Sequence, residues 1–107
     1  MEPSPIWHHR MNREAGVSTI LLSGELDLAS ASTVQALLFE EVESPDVTAV
    51  RVDLAEVGFL DSSALGVLIS GLNHAQKEGR GFTVVNPSPA AQRLLAVTGL
   101  DEVLAPR

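Results

Sequence analysis

Gly58-Phe59-Leu60-Asp61-Ser62-Ser63-Ala64-Leu65-Gly66 decides how this chain is read, because it follows a β-branched run and opens an apolar-periodic one. Upstream, Thr48-Ala49-Val50-Arg51-Val52-Asp53-Leu54 has the composition and alternation of a strand. Downstream, Leu65, Leu68, Ile69 and Leu72 recur at steps of three and four. That spacing predicts a helix from Ser62 to about Glu78, stopped by Gly79 as a C′ glycine. Strand, short loop and helix in this order form the repeating unit of α/β layer proteins.

The same unit recurs on both sides. Val17-Ser18-Thr19-Ile20-Leu21-Leu22-Ser23, bounded by Gly16 and Gly24, reads as a strand. Ile6 to Met11 is expected to pair with it through a turn over Asn12 to Gly16. From Ser30 or Ser32, with a serine as N-cap, Val34, Leu37, Leu38 and Val42 predict a helix that Pro45 ends. Phe82-Thr83-Val84-Val85 predicts a short strand. Ser88 then caps a helix with Pro89 in its first turn, Leu94 and Leu95 on its core side and Gly99 at its end. A short closing strand is expected near Val103. The fold class is therefore α/β: one domain over residues 1–107, with residues 1–5 as a loose N-terminus. It should hold a mixed, mostly parallel β-sheet with helices packed on it and an N-terminal β-hairpin.

Bulk composition narrows the function. Hydrophobic residues are 45% and charged residues 20% of the 107, which is globular usage and sufficient for one core. With no cysteine, disulfide frameworks, thiolate metal sites and cysteine nucleophiles are excluded. The N-terminus has no basic stretch followed by an apolar one, and no apolar run nears the roughly 18 residues of a membrane span. A cytoplasmic protein without membrane partners is expected. Fourteen acidic and seven scattered basic side chains give a net charge of -7, which argues against direct nucleic-acid binding. Three Phe, one Trp and no Tyr leave little for base stacking.

Two loops could carry chemistry. In the first, Asp61-Ser62-Ser63 puts two hydroxyls at a helix start, where backbone N–H groups lack intrahelical partners and an anion is favoured. A phosphate there need not unfold anything, yet it adds close to two negative charges beside Asp61. In the second, Ser23-Gly24-Glu25-Leu26-Asp27 ends a strand with two carboxylates. In a parallel layer both loops fall at the same sheet edge. Each alone is also an ordinary turn or helix cap. On a wheel of about 100° per residue, the centre of Leu65, Leu68, Ile69 and Leu72 lies about 70° from Ser62 and nearly opposite Ser63. Periodicity thus makes Ser63 the more outward hydroxyl.

Gly24-Glu25-Leu26-Asp27, followed about 35 residues later by Phe59-Leu60-Asp61-Ser62-Ser63-Ala64-Leu65-Gly66, resembles the anti-sigma factor antagonists of bacteria, which are STAS domains. The likeness runs from about Ile6 to Leu104 and includes Val84-Val85-Asn86-Pro87-Ser88 and Val97-Thr98-Gly99-Leu100. It implies a partner-switching phosphoprotein that regulates transcription. The unphosphorylated form would bind an anti-sigma factor that is also a serine kinase with a GHKL-type ATP-binding fold, releasing the sigma factor. Phosphorylation would reverse this, and a PP2C-type serine phosphatase would restore the binding form. The family's phosphoacceptor falls on Ser62, with Ser63 as runner-up, and its acidic contact falls on Asp27. Glu25, Asp61, Ser63, Ala64 and Gly66 complete the implied partner-binding set. Ala64 departs from the family, which usually has glycine there. No catalytic residue, metal or cofactor is implied.

Three other readings compete with this one. A serine nucleophile needs a histidine in reach, but His74 lies twelve residues beyond Ser62 on the same predicted helix, about 18 Å away at 1.5 Å per residue. His8 and His9 belong to the N-terminal strand, and the Gly-x-Ser-x-Gly elbow is missing. A nucleotide-binding module would want a glycine-rich loop ending in Lys-Ser or Lys-Thr, whereas Gly79-Arg80-Gly81 is a helix stop and turn. The third reading is a STAS-type scaffold without a switch at Ser62.

Overall fold

The computed structural model describes residues 6–104, so the expected loose N-terminus over residues 1–5 lies outside the described residues. The elements are β1 (Trp7–Glu14), β2 (Val17–Leu26), α1 (Leu28–Glu43), β3 (Ala49–Leu60), α2 (Ser62–Lys77), β4 (Gly81–Val85), α3 (Pro89–Thr98) and α4 (Asp101–Leu104). Strand order follows chain order, with β1 antiparallel to β2 and β2, β3 and β4 mutually parallel. The expected α/β class, hairpin and mixed sheet are all present.

Alternation along the strands explains the layers. Ile20, Leu22, Val50, Val52, Phe82 and Val84 are buried on one face. α1 and α2 cover that face: Gly71 of α2 lies so close to the Phe82 ring and Leu38 of α1 that a Cβ there would sit 2.8 Å from the ring. Arg51, one residue out of phase, points to the opposite face and shares a cleft with Gln92 and Ala96 of α3 and with Asp101 and Glu102.

Several elements differ from expectation, β2 among them, which runs on past Ser23 and Gly24 to Leu26. The hairpin turn is only Ala15-Gly16, at φ 53° and 83°, the two-residue geometry whose twist matches the strands. β1 accordingly runs on to Glu14. Helix α1 starts at Leu28 rather than at Ser30 or Ser32. Asp27 is its N-cap, accepting from the N–H groups of Ala29 and Ser30, while the Ser30 hydroxyl accepts from Asp27 N–H in a reciprocal capping box.

β3 continues six residues past Leu54, the expected end, to Leu60. Leu21 pairs with Asp53 but Ser23 with Glu56, and Gly24 with Val57 but Glu25 with Phe59, so β3 carries an extra residue at two places. Such bulges shift the side-chain phase, and the buried set becomes Leu54, Val57, Leu60. Alternation breaks while the strand persists.

The expected closing strand near Val103 is instead the one-turn helix α4. Gly99, at φ 74°, turns the chain, and the N–H of Leu104 donates to Leu100 O at 2.9 Å. Leu104 is thereby fully buried beside β4.

Candidate functional site

Parallel β2 and β3 end at the same sheet edge and hand the chain to α1 and α2, which places the two candidate loops side by side. Asp61 joins them. Its backbone N–H donates to Leu26 O at 3.2 Å. One carboxylate oxygen accepts from Ala64 N–H at 3.0 Å and caps α2, while the other accepts from Leu28 N–H at 3.2 Å in the first turn of α1. A single side chain thus serves both helix starts. Asp27 caps α1 as described, and Glu25, exposed, pairs with Phe59 across the parallel ladder.

Ser62 is the first residue of α2 and is exposed, whereas Ser63 is half-buried. This reverses the order expected from periodicity. The buried residues of α2 include Ala64, Val67, Gly71 and Ala75 as well as Leu65, Leu68 and Leu72, and Ile69 is only half-buried. Counting those small residues moves the centre of the buried arc by about 70°, to about 140° from Ser62 at 100° per residue. Large apolar side chains alone misplace the face because α2 approaches the sheet through its small ones.

The remaining candidates divide. Gly66 is exposed, and a Cβ built there would meet nothing. Ala64, expected at the docking surface, is buried at 6% exposure, so its methyl faces the core. His74 stands at the far end of α2, where its Nε2 lies 2.8 Å from Glu43 and its ring stacks on Phe39 with centroids 4.4 Å apart. It makes no pair with either serine. His8 and His9 lie exposed on β1, with His9 stacked on Trp7. Among the described residues no cluster of three His, Asp or Glu side chains could hold a metal, and no helix is long and apolar enough to cross a membrane.

Sequence reading missed the apolar residues around this edge. Leu28 is 75% exposed, Phe59 48% and Val97 79%. Leu28 offers one signal, an apolar residue in a first helical turn that falls outside the buried stripe.

The family described as "Mlab, STAS domain" matches residues 9–106. The anti-sigma F factor antagonist of Paenibacillus polymyxa is 30% identical over 97 residues, covering 91% of this chain and 79% of that protein. The crystal structure of an anti-sigma factor antagonist from Mycobacterium paratuberculosis superposes with a TM-score of 0.82 at 31% identity, covering 92% of this chain and 83% of the other. The fold alone is shared with the Bacillus cell fate determinant SpoIIAA in its phosphorylated form, at TM-score 0.71 and 21% identity, with 87% and 85% of the two chains covered. The sheet order, the two loops joined by Asp61 and these likenesses agree: the chain belongs to the STAS-domain family of anti-sigma factor antagonists.

Proposed function

We propose that this protein is a partner switch rather than an enzyme. It acts in the cytoplasm: unphosphorylated, it binds an anti-sigma factor that is also a GHKL-type serine kinase and so frees a sigma factor. Phosphorylation of Ser62 ends that binding, and a PP2C-type phosphatase restores it. The observation that carries the reading is the exposure of Ser62 at the first position of α2, next to the carboxylate that joins both helix starts. In the modification step the Ser62 hydroxyl oxygen attacks the γ-phosphorus of ATP, ADP leaves, and the hydroxyl proton passes to the kinase. The free first-turn N–H groups and helix dipole favour the phosphate by roughly 0.3 to 1 kcal/mol. The fold therefore tolerates it. A docked partner does not, because the added charge, about -2, sits beside Asp61.

Intact mass after incubation with ATP and the GHKL kinase of the same organism tests this. Wild type and Ser63→Ala should gain one phosphate and Ser62→Ala none. No gain by wild type leaves the scaffold reading in place of the switch. A gain that survives Ser62→Ala and is lost in Ser63→Ala moves the acceptor by one residue.

The cap geometry governs how Asp27 is tested. Asp27→Ala removes an N-cap as well as a charge and should cost about 1 kcal/mol of stability. Asp27→Asn keeps the cap, so it should leave the melting temperature nearly unchanged while weakening kinase binding about tenfold. Unchanged affinity in Asp27→Asn would remove Asp27 from the contact surface.

A further inference from the structure

Four of the six large exposed apolar side chains among the described residues stand at one end of the molecule. These are Leu28, Phe59, Val97 and Ile6, whose carbonyl accepts from Glu25 N–H; the others are Met11 and Val103. Phe59 and Val97 line one open groove, about 380 Å³, together with Gly58, Ala90, Leu94 and Arg93. Its floor is mostly apolar and its one charge is a guanidinium. Arg93 is exposed and forms no ion pair among the described residues, on a chain whose net charge is -7. The groove is continuous with the candidate switch. Phe59 pairs with Glu25 and stands two residues before Asp61, and Asp61 in turn holds Leu28 N–H.

We infer that this groove between the end of β3 and α3 is a second docking element for the kinase partner. It would accept a segment that presents two apolar side chains next to a carboxylate. The inference rests on the partner reading above and adds the chemistry of what is bound. The apolar side chains fill the space between Phe59, Leu94 and Val97, and the carboxylate meets Arg93. Negative charge surrounds this cation elsewhere on the same edge, at Glu25, Asp27 and Asp61. The edge therefore sorts partners by sign: an acidic group is welcome only over α3, and a basic one only over the two loops. The groove adds affinity without touching the hydroxyl, and Ser62 decides whether that affinity is realised.

The test is titration of the GHKL kinase with unphosphorylated wild type, Val97→Gln, Arg93→Glu and Arg93→Lys. Both side chains are exposed, so thermal melts of all four should coincide. Val97→Gln and Arg93→Glu should each bind about tenfold more weakly, and Arg93→Lys within about threefold of wild type. If wild type binds and the first two variants bind equally well, the groove is not a docking element while the partner reading stands. Should wild type bind no kinase, the partner reading falls and the groove assignment with it. Sedimentation of the free chain supplies a further arm: a dimer that Val97→Gln converts to monomer, with kinase affinity unchanged, would give the groove to a second copy and overturn the proposal.

Discussion

Gly24→Ala should destabilise the protein by at least about 3 kcal/mol, enough to remove much of the stability of a small domain. Gly24 has φ 93°, and a Cβ there would lie 2.1 Å from Ile6 O and 2.9 Å from Trp7 Cα. The backbone conformation alone costs an L-residue roughly 1 to 2 kcal/mol. The contact cannot be relieved by a side-chain rotation, because it is made with backbone. Moving Ile6 would break the hydrogen bond from Glu25 N–H to Ile6 O, 3.0 Å long, and pull the start of β1 from the edge where Glu25 and Asp27 stand. Urea unfolding should show a lowered midpoint with an unchanged slope. Gly66→Ala is the control in the opposite direction, since open space at that exposed helical position should yield a gain of about 0.5 to 1 kcal/mol. A loss below about 1 kcal/mol for Gly24→Ala would show that β1 yields readily there.

Arg13→Met should lower the stability of the protein at neutral pH, and by less as the solution is acidified. Glu41 of α1 keeps only 6% of its side chain exposed. Arg13 of β1 grips it with two hydrogen bonds, 3.0 Å from Nε and 2.8 Å from Nη2, and the Ser18 hydroxyl donates a third at 2.6 Å. The Arg13 guanidinium, helped by Ser18, holds the Glu41 carboxyl below its ordinary value despite burial, which pushes the other way. A carboxyl lowered in the folded state stabilises the fold above its unfolded value, and that contribution is lost as pH falls through the folded value. In Arg13→Met the carboxylate is left buried without its cation, so protonation relieves it. The stability gap between wild type and variant should therefore narrow below the ordinary carboxylate range. A gap constant from neutral to acid pH would show that Arg13 does not set the protonation of Glu41.

How much was legible varies by residue. Leu65, Leu68 and Leu72 announced α2, and the cap role of the Asp61 position followed from a polar residue before a periodic run. Alternation announced β3 but ended it at Leu54, because two bulges hide the strand from any rule of period two. Large side chains gave the wrong outward hydroxyl, since Gly71 and Ala75 define how closely α2 approaches Phe82 and Leu38. Asp27 reads from the sequence as a contact residue although its first duty is a cap, and Ser30 and Ser32, three and five residues further on, obscure the start of α1.

By itself the sequence determined the order of elements, the α/β class and the two loops that meet at one edge. Backbone periodicity, capping and turn chemistry act over a few residues and are written along the chain. Only the tertiary structure decided that Ser62 faces outward, that Asp61 serves both helices, that Arg13 clasps Glu41 and that Phe59, Arg93 and Val97 share a groove. Each of those depends on packing between different elements or between residues far apart along the chain, and such juxtapositions are set by how the helices close on the sheet rather than by any local pattern.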